Sequence, residues 1–257
     1  MKKIIVAALL IFILAACNKN KDATPAMPDY KVKTAIHRLN GVTDTTTYTY
    51  NGTTLTVDVR YSNSATIYRT IFTKESGVYR SEYFVNGTKT IDGYYRIAAN
   101  GYIDTTSTVR TDATINNTNK YEYNSSGYNT RLTSNYVTYE QDYHMNYSSE
   151  DYSYWINNFR NFSDPSQSKR DSIVFEFYNK PQVAAYKSFP WGMYGKPVKN
   201  LVKKRTYYNQ TTGGNLYQTW EYEYETNSTG LVTREIWAVY NQPGNILNRK
   251  DTTFYNW

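Results

Sequence analysis

Thr54-Leu55-Thr56-Val57-Asp58-Val59-Arg60-Tyr61 sets Leu55, Val57, Val59 and Tyr61 against Thr56, Asp58 and Arg60. Strict alternation of this kind is the pattern of a β-strand with one buried face. The preceding run, Val42 to Tyr50, alternates as well, with Tyr48 and Tyr50 on one face and Thr47 and Thr49 on the other. Between the two runs stands Asn51-Gly52. A tight hairpin turn needs positive φ at its central residues, which Asn and Gly tolerate best. The three stretches together predict an antiparallel hairpin.

The same grammar extends along the chain. Turn signals recur at Asn40-Gly41, Glu75-Ser76-Gly77, Asn86-Gly87, Asn100-Gly101, Ser126-Gly127, Thr229-Gly230 and Pro243-Gly244. A spacing of 8–12 residues between turns is that of sandwiches, barrels and long meanders. The expected fold class is all-β: a large antiparallel meander of about a dozen strands or more, forming an open curved sheet or a barrel-like sandwich. One short helix is expected over Ser148 to Phe159, where Tyr152, Trp155, Ile156 and Phe159 fall at helical spacing. Ser148 with Asp151 resembles a capping box, and Ser163-Asp164-Pro165 ends the segment. Asp171 to Tyr178 carries apolar residues on both faces and reads as a doubly covered strand. Leu201 to Asn209 and Leu216 to Glu225 read as a hairpin in which Lys203 and Arg205 face Glu221 and Glu223.

The N-terminus carries Lys2-Lys3, an apolar run from Ile4 to Leu14, and Leu14-Ala15-Ala16-Cys17. The run is too short for a membrane helix, which needs about 20 apolar residues. A charged start, a short apolar stretch and small residues before a cysteine match a lipoprotein export signal. Cys17, the one cysteine of the chain, is the expected lipidation site. The domain reading is a signal over 1–16, the lipidated cysteine and a polar tether over 17–29, and a single β domain over 30–257. Asn18 is not the aspartate that retains such proteins at the inner membrane, so the outer membrane is the expected address. The face of that membrane is left open. The membrane, through the lipid, is thus one partner.

Composition narrows the rest. Formal charge is +7, and Lys2 and Lys3 leave with the signal. The remaining basic residues are dispersed, which argues against nucleic acid as a partner. Two histidines, His37 and His144, and no second cysteine make a structural metal site unexpected. No cofactor is expected. Glu140 with Asp142 and Glu150 with Asp151 lie in no hydrolase motif. No Gly-x-Ser-x-Gly elbow accompanies His144. The chain therefore reads as a non-enzyme, with an uncharacterised hydrolase as third choice. A membrane-spanning barrel needs an outward apolar band, whereas the second face of these strands is mostly Thr, Lys, Arg, Asp and Glu.

The chain holds 29 tyrosines, 9 phenylalanines and 5 tryptophans. Tyrosine suits a half-buried strand face, since its ring packs while its hydroxyl reaches water. The rings outside the strand pattern are more telling. The irregular segment from Asn179 to Asn200 holds Phe189, Trp191, Tyr194 and Lys196. Long loops of this kind are often functional. These four residues are the candidate site for a glycan, peptide or envelope-protein partner. The alternative is a structural role, with the rings filling the concave face of the sheet.

A unit also recurs: Asp, a hydroxyl residue, then alternating aromatics. It stands at Asp44-Thr45-Thr46-Thr47-Tyr48-Thr49-Tyr50, Asp171-Ser172-Ile173-Val174-Phe175-Glu176-Phe177 and Asp251-Thr252-Thr253-Phe254-Tyr255. With Tyr121-Glu122-Tyr123, Tyr222-Glu223-Tyr224 and Gly195-Lys196-Pro197-Val198-Lys199-Asn200-Leu201, the chain resembles Bacteroidetes envelope lipoproteins of unknown function. Some of those have a porin-like fold, and their Tyr-x-Tyr hairpins resemble the YD repeats of Rhs proteins. The resemblance implies antiparallel β structure and an envelope location, and it supplies no catalytic residues. Thr45, Thr105, Ser172 and Thr252 each follow an Asp and precede a small or aliphatic residue or Thr. They resemble the pattern on which Bacteroidetes glycosylate exported proteins and are the expected modification sites, although Asp then Thr is also ordinary chemistry for leaving a turn and entering a strand.

Overall fold

The computed structural model describes residues 31–39, 41–75, 78–112, 115–181 and 194–257. Among these, sixteen strands follow in order. They are β1 (Thr34–Leu39), β2 (Val42–Asn51), β3 (Thr54–Tyr61), β4 (Ile67–Glu75), β5 (Val78–Val85), β6 (Thr88–Ile97), β7 (Ile103–Arg110) and β8 (Ile115–Tyr123). The second half comprises β9 (Asn129–Tyr136), β10 (Tyr139–Ser148), β11 (Asp151–Asn161), β12 (Lys169–Pro181), β13 (Asn200–Asn209), β14 (Asn215–Thr226), β15 (Val232–Asn241) and β16 (Ile246–Asn256). Each strand pairs antiparallel with its neighbours in sequence, and β1 also pairs with β16. The expected all-β meander forms, and it closes on itself as a barrel. Turn chemistry explains the local steps: at Asn86-Gly87, φ is 48° and 82°, the positive pair a two-residue hairpin demands.

Closure divides every strand between two walls. The inner wall takes Ala35, Asp44, Tyr48, Leu55, Tyr95, Tyr121, Trp155, Phe175 and Tyr222 as the register is followed round the barrel. Leu55 and Ile103 are fully buried there. Gly93 also faces inwards, because a Cβ at that position would collide with the Ser81 hydroxyl and press on the Tyr95 ring. The outer wall carries paired charges. Arg69 Nε donates to Asp58 at 2.7 Å, Lys89 reaches both Glu82 and Asp92, and Arg96 pairs with Asp104. Both chain ends of the barrel, the start of β1 and the finish of β16, lie at one rim, here called the terminal rim. The end of β12 and the start of β13 lie at the same rim.

Three expectations need correction. The helix over residues 148–159 does not form. That stretch is the end of β10, a turn at Ser149 (φ 63°) and most of β11. The cause is a bulge: the β10–β11 register shifts at Asn146/Tyr147, opposing Tyr147 to Tyr152 but Asn146 to Tyr154. One extra residue on a strand brings positions three apart onto the same wall. Tyr152 and Trp155 therefore meet, ring centroids 4.8 Å apart, and imitate helical spacing. A 3-10 turn does occur shortly after that stretch, at Pro165–Gln167, capped by the Asp164 side chain. Second, β12 is not covered on both faces. Asp171, Ile173 and Phe175 are buried, whereas Val174 is 40% exposed on the outer wall, since a single-layer barrel has only one dry side. Third, the β13–β14 register sets Lys204 opposite Glu221 and Arg205 opposite Trp220. Arg205 thus points inwards, and a slip of one residue has exchanged the walls.

Candidate functional site

The inner wall is aromatic over its second half. Tyr128, Tyr147, Tyr152, Trp155 and Phe175 follow one another at centroid separations of 4.7–5.4 Å. Trp220 and Trp237 stack at 5.0 Å and 6°. Two cations lie over these rings. The Arg205 guanidinium is 5.2 Å from the Tyr222 ring and 5.7 Å from Phe175, and Arg249 is 4.7 Å from Trp237. Removal from water pushes the Tyr152 hydroxyl above its ordinary value and takes those of Tyr121 and Tyr217 up to about 12. These phenols stay protonated at neutral pH and act as neutral groups.

Within this wall, strands β9 to β14 form a cleft of about 550 Å³. That lies in the range of about 300–1,000 Å³ usual for small-molecule sites. Tyr143, Trp155, Tyr207 and Tyr217 give it rings, and Asn157, Asp171 and Arg205 give it polar groups. Asp171 is 3% exposed and Asn157 9%. Four buried atoms in this cleft have no hydrogen-bond partner in the protein: Trp155 Nε1, Asn157 Oδ1, Asp171 Oδ1 and Arg205 Nε. The other carboxylate oxygen of Asp171 lies 3.4 Å from Lys169 Nζ. Buried polar groups are nearly always hydrogen-bonded, so four exceptions in one cleft mark it out.

A second polar cluster sits farther round the same wall. Asp251 is fully buried, and Arg249 Nε donates to its Oδ2 at 2.7 Å. His37 bridges, with Nδ1 2.9 Å from Asp44 and Nε2 3.8 Å from Asp251. Glu235 accepts from the Tyr255 hydroxyl at 2.9 Å, and burial pushes its carboxyl above the ordinary value. Asp44, Asp171 and Asp251 are the heads of the repeated sequence unit, and all three face inwards. The hydroxyl residue after each turns outwards.

The predicted residues are distributed differently. Phe189, Trp191 and Cys17 lie outside the described residues. Tyr194 and Lys196 belong to a strap at the terminal rim. The Tyr194 ring is 5.5 Å from Tyr121, and burial pushes its hydroxyl up. Lys196 donates its backbone N–H to Gly127 O at 2.8 Å and holds its ammonium 5.7 Å from the Tyr128 ring. Gly195, with φ 98°, lets the strap approach Tyr123 and the Gly127 carbonyl closely. Asn200 then donates twice to Asp151, at 2.9 and 2.7 Å. Neither Tyr194 nor Lys196 is among the residues lining the cleft, which the sequence reading missed. Thr45, Thr105, Ser172 and Thr252 lie on the outer wall, where Arg96 donates to Thr105 at 3.1 Å and Gln210 to Ser172 at 2.7 Å.

The acid pairs weighed for catalysis make ion pairs. Asp142 takes both Arg131 and His144 at 2.9 Å on the outer wall, Glu140 pairs with Arg160, and Glu150 with Lys199. Among the described residues, no three His, Cys, Asp or Glu side chains are grouped to hold a metal ion.

Residues 1–18 match the prokaryotic membrane lipoprotein lipid attachment site. No curated protein matches the chain. Among solved structures the barrel is similar to a porin-like protein from Bacteroides uniformis, with TM-score 0.58 and 14% identity, over 88% of this chain and 96% of that one. It is also similar to a porin-like protein from Bacteroides vulgatus, with TM-score 0.54 and 10% identity, over 89% and 99% of the two chains. The likeness is one of fold. The attachment site supports a membrane-anchored lipoprotein, and its sixteen-stranded barrel shares its fold with those two proteins.

Proposed function

We propose that this is a non-enzymatic lipoprotein of the outer membrane, whose barrel stands in water and binds a hydrophilic molecule on its inner wall. Residues 1–16 act as the signal, 17–29 as the lipidated tether and 30–257 as the barrel. The observation that carries the reading is the cleft with four unpartnered buried polar atoms beside four rings. Each such atom left without a partner costs about 1–3 kcal/mol, and a ligand with matching groups removes that cost. The outer wall, with its rows of paired charges, is the reverse of the apolar band a membrane-spanning barrel presents. Attachment therefore falls to the lipid on Cys17, and two or three acyl chains give stable anchoring.

Tyr194 and Lys196 make contacts within the protein at the terminal rim, and a binding role for Phe189, Trp191, Tyr194 and Lys196 stands beside the cleft as a second proposal, read by Trp191→Ala in the same screen as the cleft. Screening glycans and peptides against wild type and Trp155→Ala tests the cleft. A ligand held by wild type and lost in a folded variant supports it. A ligand bound equally by both would move the site elsewhere. The outward setting of Thr45, Thr105, Ser172 and Thr252 suits a bulky modification, and the intact mass of protein purified from its host reads this directly.

A further inference from the structure

We infer that the ligand of the β9–β14 cleft is a neutral carbohydrate; this rests on the cleft being a binding site at all. The unpartnered atoms are two donors, Trp155 Nε1–H and Arg205 Nε–H, and two acceptors, Asn157 Oδ1 and Asp171 Oδ1. A hydroxyl donates and accepts at once, so a polyol satisfies both kinds. An anion answers the donors but meets the Asp171 carboxylate. A cation meets Arg205. The Asp171 charge is also offset by Lys169, 3.4 Å away. An apolar ligand leaves all four atoms without partners.

The rings supply the other half of recognition. Tyr143, Trp155, Tyr207 and Tyr217 present apolar surface on which the C–H face of a pyranose packs, while their polar tips reach hydroxyls. A peptide lacks this match and also lacks its usual dock. Peptide capture by strand addition needs a free sheet edge, and the closed barrel has none.

The test uses the mature chain and saturation-transfer NMR with calorimetry at millimolar probe. The probes are glucose, galactose, mannose and N-acetylglucosamine, their linear tetramers, tetragalacturonate and an alanine tetrapeptide. At least one neutral sugar is expected to bind. Trp155→Phe keeps a ring and loses the N–H, and Asp171→Asn keeps an acceptor and loses the charge. Each is expected to weaken binding roughly tenfold, with Arg69→Gln on the outer wall as an unchanged control. Circular dichroism and melting establish that each variant is folded. Neutral sugars failing to bind, or binding equally to both cleft variants, would overturn the inference. Trp155-dependent binding of tetragalacturonate in place of the neutral sugars would overturn the neutral charge of the ligand, and such binding of the peptide would overturn the carbohydrate class; either would leave the binding cleft standing. No probe of any class binding would sink both.

Discussion

The two walls of this barrel handle charge in opposite ways. On the outer wall Asp58, Glu82, Asp92, Asp104 and Glu140 each have a basic partner beside them, and both members of each pair stand partly in water. Such pairs contribute at most about 1 kcal/mol each. On the inner wall Asp251 has no exposure, Asp171 has 3%, and one oxygen of each lacks a partner. Charge held in this way is costly to misplace. The contrast teaches where the molecule can be altered freely and where its specificity resides.

The largest expected effect lies at Asp251. Asp251→Ala strips Arg249 and His37 of their shared partner and is expected to cost about 3 kcal/mol. Asp58→Ala, which removes the outer partner of Arg69, should cost less than about 1 kcal/mol. Denaturant midpoints measure both, and equal costs would end the distinction between the walls. Next comes Gly93→Ala, which pushes a methyl into Ser81 and Tyr95. Overpacking of this kind costs about 1–3 kcal/mol. Adding Ser81→Gly should recover most of it, and failure to do so would mean that strain lies in the backbone instead.

The walls should also differ in the sign of their pH response. Burial raises the Glu235 carboxyl, so the folded protein holds that proton more tightly than the unfolded chain. Its contribution is present below the ordinary Glu value and is lost as pH rises through the folded value. Asp58 is the opposite, because the hydrogen bond from Arg69 holds its carboxyl below the ordinary value. Its contribution is present above the ordinary Asp value and is lost as pH falls through the folded one. Melting curves against pH should therefore show Glu235→Gln gaining on wild type towards neutral pH and Asp58→Asn losing there. Changes of the same sign would contradict the assignment. The smallest effect is expected at Lys204, 3.9 Å from Glu221. Lys204→Ala should stay within about 0.5 kcal/mol and respond to salt. Arg205→Ala, one residue on but facing inwards, should cost several times more.

Much of the fold was legible because hairpins are local: Asn51-Gly52 and Asn86-Gly87 announce their turns, and Leu55, Val57 and Val59 announce their wall. What misled was geometry that shifts by one residue. A bulge after Asn146 turned the Tyr152, Trp155 and Phe159 alternation into a helical spacing. A one-step register difference exchanged Lys204 for Arg205. Closure was legible only as the barrel-like one of two forms, since no turn joins β1 to β16. The cleft was hidden for the same reason, as Trp155, Asp171 and Arg205 come from three strands. One signal was available. In Asp171-Ser172-Ile173-Val174-Phe175 the aspartate shares the phase of the buried rings, which places a carboxylate on the dry side. The ring-rich segment near Trp191 drew attention because loops carry function more often than strand interiors do.

The seam between β1 and β16 sets the order of assembly. Every other strand meets its neighbour as soon as the next stretch of chain appears. The seam waits for Asp251–Asn256 to lie along Thr34–Leu39, at nearly the full span of the chain. Pairing across such a distance is slow. During that interval the nascent sheet has two bare margins, each a template for pairing with another molecule. The N-terminal strand is synthesised first, so β1 waits longest. Assembly is then a race between self-closure and association, and the last few residues before Trp257 decide it. A chain shortened there would keep fifteen hairpin-linked strands and yet remain a ribbon prone to join its own kind.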